Sequence, residues 1–115
     1  MELRENAYYL GDLKVSDLAE KYGTPLYLYD LETIKRQYDR ITGAFRKSRV
    51  RINFACKALT NINILKYFNE LGAGLDAVSI QEVWLGLKAG FKPGDIMYTP
   101  NCVSLEEIDL AVQEG

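Results

Sequence analysis

Leu75-Asp76-Ala77-Val78-Ser79-Ile80-Gln81-Glu82-Val83-Trp84-Leu85-Gly86-Leu87-Lys88-Ala89-Gly90 holds the fold in miniature. Leu75 to Ser79, with Leu75, Ala77 and Val78 apolar, reads as a strand. Ser79 followed three positions later by Glu82 is a capping box, the signature of a helix start. Apolar residues then recur at helical spacing to Ala89, and Gly90 supplies the stop. Strand, tight connection and helix make one βα unit.

The unit recurs on both sides. Upstream, Arg51 to Lys57 predicts a strand, and Asn61 to Leu71 a helix closed by Gly72. Downstream, Asp95 to Thr99 predicts a strand. Leu105 to Glu114 predicts a helix opened by a second capping box, Ser104 with Glu107, and closed by Gly115. Three such units imply a parallel sheet with right-handed crossovers. Both faces of a parallel sheet need cover, and three strands cannot close on themselves. The expectation is therefore the N-terminal part of a larger α/β structure, with a small self-contained α/β domain as the alternative.

Ahead of these units, Tyr8 to Val15 reads as two short strands about Gly11-Asp12. Ser16 offers an N-cap to a short helix that Gly23 stops. Pro25-Leu26-Tyr27-Leu28-Tyr29 is strand-like. Asp30 can cap a longer helix, with Leu31, Ile34, Tyr38, Ile41 and Phe45 on one face.

Composition narrows the function classes. With 48% hydrophobic and 26% charged residues the chain is globular rather than disordered. A net charge of −2 gives no reason to expect nucleic acid or an anionic membrane as partner. No apolar run approaches the ~18 residues of a membrane span. The opening MELRENAYYL has no apolar signal core, so a cytoplasmic location is expected. The chain has no histidine, which removes His-based nucleophile triads and argues against a zinc site. Cys56 and Cys102 are expected to be free and buried. Gly72-Ala73-Gly74-Leu75-Asp76-Ala77 fits a dinucleotide fingerprint by spelling. That motif needs a strand before it and a helix after it, the reverse of the order here.

Alternation along Arg51 to Lys57 would put Ile52, Phe54 and Cys56 on one face and Asn53, Ala55 and Lys57 on the other. Lys57 would then end a strand where α/β folds bind ligands. Flanked by Ala55, Cys56 and Ala58, its amine would be poorly solvated, with a lowered pKa, and nucleophilic toward a carbonyl. The other reading is a lysine whose head simply reaches solvent.

Several blocks resemble one family in order and at its spacing. They are Lys21-Tyr22-Gly23-Thr24-Pro25-Leu26-Tyr27-Leu28-Tyr29-Asp30, Asn53-Phe54-Ala55-Cys56-Lys57-Ala58, Gly72 to Ser79 with Glu82, and Ala89-Gly90-Phe91 to Asn101. They are similar to the pyridoxal-phosphate-dependent decarboxylases of diaminopimelate, ornithine and arginine. The resemblance implies an α/β fold, the first part of a (β/α)8 barrel with pyridoxal 5'-phosphate at its mouth. It also implies a β domain to which residues 1–30 contribute, residues 31–115 being the incomplete barrel. It implies a homodimer acting on a small amino acid. Diaminopimelate is the favoured substrate, and ornithine, arginine or carboxynorspermidine are the alternatives. A non-catalytic truncated domain is the reading from another class.

By the same resemblance Lys57 carries the cofactor, Asp76 lies beside that lysine, and Glu82 and Asn101 lie near the cofactor. Each has a plainer reading. Asp76 could bond nearby backbone, Glu82 completes the Ser79 cap, and Asn101 suits a turn after Pro100. Ser79 reads as a cap rather than a ligand, and Cys56 as core. Leu59 stands where the family usually has asparagine, and Ser79-Ile80-Gln81-Glu82 where it often has Ser-Gly-Gly-Glu. These departures bear on the substrate side rather than on the lysine. The family's ring-stacking histidine and phosphate-binding glycines fall beyond the matched blocks.

Overall fold

The computed structural model describes residues Met1–Gly115, which form two compact units, Met1–Ala44 and Phe45–Gly115.

The first unit opens with three antiparallel strands in sequence order: β1 (Glu2–Arg4), β2 (Ala7–Leu10) and β3 (Leu13–Lys14). β2 and β3 flank Gly11-Asp12 as expected, with Leu10 opposite Leu13. β1 was not legible beforehand, because its three residues are all exposed and two are charged. The signal was Asn6. The β1–β2 loop holds both Glu5 (φ 46) and Asn6 (φ 66) in the left-handed region, the backbone of a tight two-residue hairpin turn.

Helix α1 (Val15–Tyr22) follows β3 without a break, so its N-cap position falls on Lys14. Ser16 is therefore inside the helix, not its cap, and its hydroxyl bonds the Asp17 carboxylate at 3.1 Å. Gly23 ends the helix as expected, with φ 83 and its N–H on Ala19 O. Pro25–Tyr29 corrects the sequence reading as well. Leu26 and Leu28 alternate with more exposed neighbours, but no strand pairs with this segment. Alternation reports burial, whereas a strand also needs a neighbour to hydrogen-bond. Helix α2 (Leu31–Ala44) starts on Asp30, whose carboxylate accepts from Thr33 N (3.0 Å) and Thr33 Oγ1 (2.8 Å). Those bonds hold the Asp30 carboxyl below its usual range.

The second unit is a parallel three-stranded sheet, β4 (Asn53–Ala55), β5 (Gly74–Ala77) and β6 (Ile96–Tyr98), in sequence order. The helices are α3 (Ile62–Glu70), α4 (Ile80–Ala89) and α5 (Leu105–Gln113). Each helix has a side-chain cap, from Asn61, Ser79 and Ser104 respectively. Gly90 closes α4 in the left-handed conformation (φ 99). The Gly72-Ala73-Gly74 segment does end a helix and begin a strand, which excludes the dinucleotide motif.

Register divides the sheet into two faces. Phe54, Leu75 and Ala77 share a face with Ile96 and Tyr98. This face carries the core. Leu75, Leu65 and Cys56 are fully buried, and Phe54 stacks on Phe68 with ring centroids 4.0 Å apart. Ala77, Ile80 and Val83 form a second cluster with Ile96, Tyr98 and Ala111. Helix α4 lies so close to the sheet that a Cβ on Gly86 would fall 2.4 Å from Leu75 Cδ2. The opposite face carries Asn53, Ala55, Gly74, Asp76 and Met97. Met97 is 55% exposed there, as expected of a parallel sheet whose helices cover one side.

Candidate cofactor site

β4 is shorter than the sequence suggests, and this changes the setting of Lys57. Its ladder ends where Ala55 pairs with Asp76, and Cys56–Ala58 form a 3-10 turn closed by Leu59 N on Cys56 O at 3.0 Å. Lys57 therefore lies in a turn at the C-terminal edge of the sheet, not in the strand. It is exposed, which overturns the expectation of a poorly solvated amine and agrees with the other reading, a head group that reaches solvent. A turn lifts the side chain off the sheet, where alternation would have laid it along the face. The chain's ion pairs leave this ammonium unpaired.

Cys56, one residue earlier, points into the core as expected and is 0% exposed. Burial pushes its thiol up to about 11, and the charge of Glu82 adds to the shift. Cys102 departs from expectation. It is exposed, in the loop after β6, with φ 55.

Asp76 is half-buried on the helix-free face, directly opposite Ala55. Its carboxylate does not turn to nearby backbone. Oδ1 accepts from Thr99 Oγ1 at 2.5 Å. Glu82 caps α4 in an altered form of the expected box. Its N–H donates to Ser79 Oγ (3.3 Å), and its Oε2 accepts from Val78 N (2.8 Å), one residue beyond the cap. Asn101 is exposed in the β6–α5 loop, with no hydrogen bond to the other three residues. The fold thus gathers Lys57, Asp76 and Glu82 around the C-terminal ends of β4 and β5. Asn101 follows β6 at the same end of the sheet.

Three residues of this region were not singled out from sequence. Thr99 is Asp76's partner. Counting register from Met97, opposite Asp76, would have placed it on the same face. Glu107 was read only as half of a capping box. Its N–H does bond Ser104 Oγ (3.2 Å), but its Oε1 accepts from Ile80 N (2.9 Å) and Tyr98 OH (3.1 Å). Burial, then that bond, raises the Tyr98 phenol above its ordinary value. Asn53 lies opposite Gly74, where a Cβ would fall 2.1 Å from its Oδ1. That oxygen is buried without a hydrogen-bond partner. No signal in the sequence identifies it.

These residues fit an aldehyde cofactor such as pyridoxal phosphate. A primary amine stands just past the C-terminal end of β4, where α/β folds bind ligands, and the Asp76 carboxylate lies opposite Ala55 on the open face.

Comparison with known proteins points the same way. Residues 31–115 match the family described as pyridoxal-dependent decarboxylase, pyridoxal binding domain. The diaminopimelate decarboxylase of Methanothermobacter thermautotrophicus is 41% identical over 108 residues, which is 92% of this chain and 25% of that protein. The crystal structure of diaminopimelate decarboxylase from M. jannaschii in complex with L-lysine superposes with a TM-score of 0.91 at 29% identity. That match covers 98% of this chain and 27% of the other. Lysine/ornithine decarboxylase from Vibrio vulnificus, complexed with cadaverine, gives 0.81 at 25% identity, covering 88% and 27%. The chain spans about a quarter of the length of the relatives it matches.

Proposed function

The chain belongs to the pyridoxal-dependent decarboxylases, by a match to their pyridoxal-binding domain, and from that premise we propose that Lys57 anchors pyridoxal 5'-phosphate in an enzyme converting meso-2,6-diaminopimelate to L-lysine and CO2. The observation that carries the reading is the match of residues 31–115 to the pyridoxal-binding domain, within which Lys57 stands in the turn that ends β4. Bound there, the cofactor supplies an electron sink for cleavage at the carbon next to the substrate amine.

This chain's own residues divide the remaining work. Lys57 provides the amine that holds the cofactor aldehyde. Asp76, opposite Ala55, supplies negative charge beside it and favours the protonated form of a neighbouring amine. Glu82 has one oxygen fixed on Val78 N, which leaves the other for the cofactor side. Asn101 lines the mouth from the β6–α5 loop. Residues 31–115 form the first part of a (β/α)8 barrel, and residues 1–30 contribute to a β domain. The working enzyme is a homodimer in the cytoplasm.

Diaminopimelate is favoured over ornithine, arginine or carboxynorspermidine by sequence. The diaminopimelate decarboxylases of M. thermautotrophicus and Haemophilus influenzae are 41% and 35% identical to this chain, against 25% for the lysine/ornithine enzyme. The test is CO2 release by the full-length protein with pyridoxal phosphate and each amino acid in turn. Turnover of diaminopimelate at least about tenfold above the others is expected. A preference for ornithine or arginine would replace the substrate, and no turnover of any of them would remove the reading.

A further inference from the structure

The open face of the β4–β5–β6 sheet is laid out in rows by register. Asn53 is opposite Gly74, Ala55 is opposite Asp76, and Asp76 is opposite Met97. The ladder continues one step past β6, because Thr99 N–H donates to Ala77 O at 2.8 Å. Thr99 is two residues on from Met97, so its side chain stands on the same face. It completes the contact by donating Oγ1 to Asp76 Oδ1 at 2.5 Å.

Two properties make this threonine more than a local partner. Its backbone is fixed in the ladder and its side chain is β-branched, so the hydroxyl is a stiff donor. It is also neutral, so it fixes one carboxylate oxygen without cancelling the charge. Asp76 enters none of the chain's salt bridges, which leaves Oδ2 unspent. The β4 neighbour of Asp76 is Ala55, and Lys57 follows two residues later.

We infer that Thr99 is a positioning residue for Asp76, holding Oδ1 so that Oδ2 serves the amine chemistry at Lys57. This rests on the cofactor role given above to Lys57 and deepens it. The experiment follows pyridoxyl label on the Lys57 peptide by mass spectrometry. Full-length protein is mixed with pyridoxal phosphate and quenched with borohydride at intervals. The proteins compared are the wild type, Thr99→Val, Thr99→Ser, Asp76→Asn and the Thr99→Val/Asp76→Asn double variant.

Losing one hydrogen bond to a charged group should slow labelling of Thr99→Val about tenfold. Thr99→Ser should stay within about twofold of wild type, and Thr99→Val should cost nothing further once Asp76 is Asn. Wild-type labelling of Thr99→Val, or an equal further loss in the Asp76→Asn background, overturns the inference. If circular dichroism shows Thr99→Val misfolded, Thr99→Ala against Thr99→Ser decides in its place, and equal rates overturn the inference. Absence of label on wild-type Lys57 overturns the cofactor reading and this inference with it. A labelled wild type with unchanged Thr99 variants overturns this inference alone.

Discussion

Glu107 on α5 accepts a hydrogen bond from the backbone N–H of Ile80, the first residue of α4, at 2.9 Å. The first N–H groups of a helix have no partner within it, so this carboxylate satisfies one from a distant element. The same oxygen accepts from Tyr98 OH at 3.1 Å, which ties α5 to β6 as well.

Glu107→Ala should therefore destabilise the protein by about 1–3 kcal/mol, the cost of leaving part-buried donors unsatisfied. Glu107→Gln keeps an acceptor oxygen and should lose less. Urea unfolding midpoints measure both. An Ala variant as stable as wild type would mean that water replaces the carboxylate at no cost.

Gly86→Ala tests the packing of α4. In an isolated helix the change would stabilise by about 1 kcal/mol. Here the new Cβ would meet Leu75 Cδ2 at 2.4 Å and Ile96 Cδ1 at 3.2 Å. Overpacking of this kind costs about 1–3 kcal/mol, so net destabilisation is expected. Combining it with Leu75→Ala should give less than the sum of the two losses, since the second change removes the atom struck by the first.

The two thiols should separate by reactivity. Cys102 is exposed and should react with a disulfide reagent at once, whereas Cys56 is sealed in the core and should react only on unfolding. Folding raises the Cys56 thiol from an ordinary 9.0 to about 11. A raised folded value means that the folded state holds the proton more tightly. The associated stability is complete below about pH 9 and is lost as pH climbs toward 11. Cys56→Ala should remove that alkaline dependence from the unfolding midpoint, and an unchanged alkaline slope would contradict the assignment.

Lys57→Ala in the full-length protein should abolish both the pyridoxyl label and CO2 release. Residues 1–115 alone should release no CO2 from diaminopimelate, since they carry about a quarter of the length of their relatives. Measurable turnover by this piece would show that the site needs little beyond Lys57, Asp76 and Glu82.

Much of the architecture was legible because local chemistry and tertiary structure agree. Ser79, Ser104 and Asp30 cap the helices they were expected to cap, and Gly23, Gly72 and Gly90 stand at helix ends. Ser16 failed because β3 runs straight into α1, leaving the serine no position outside the helix. Pro25–Tyr29 failed because a strand is defined by its neighbour, and periodicity says nothing of neighbours.

The site divides along the same line. The order and spacing of the blocks around Lys57, Asp76 and Glu82 carried a resemblance to the pyridoxal-dependent decarboxylases, and the match of residues 31–115 to their pyridoxal-binding domain bears out that family. Where those groups point depended on contacts between residues far apart in sequence. The ladder ends at Ala55 and turns Lys57 out to solvent, Thr99 captures Asp76 from β6, and Glu107 spends its carboxylate on α4 and Tyr98. A hydrogen bond needs both partners in place, and only the packed sheet and helices bring these pairs together.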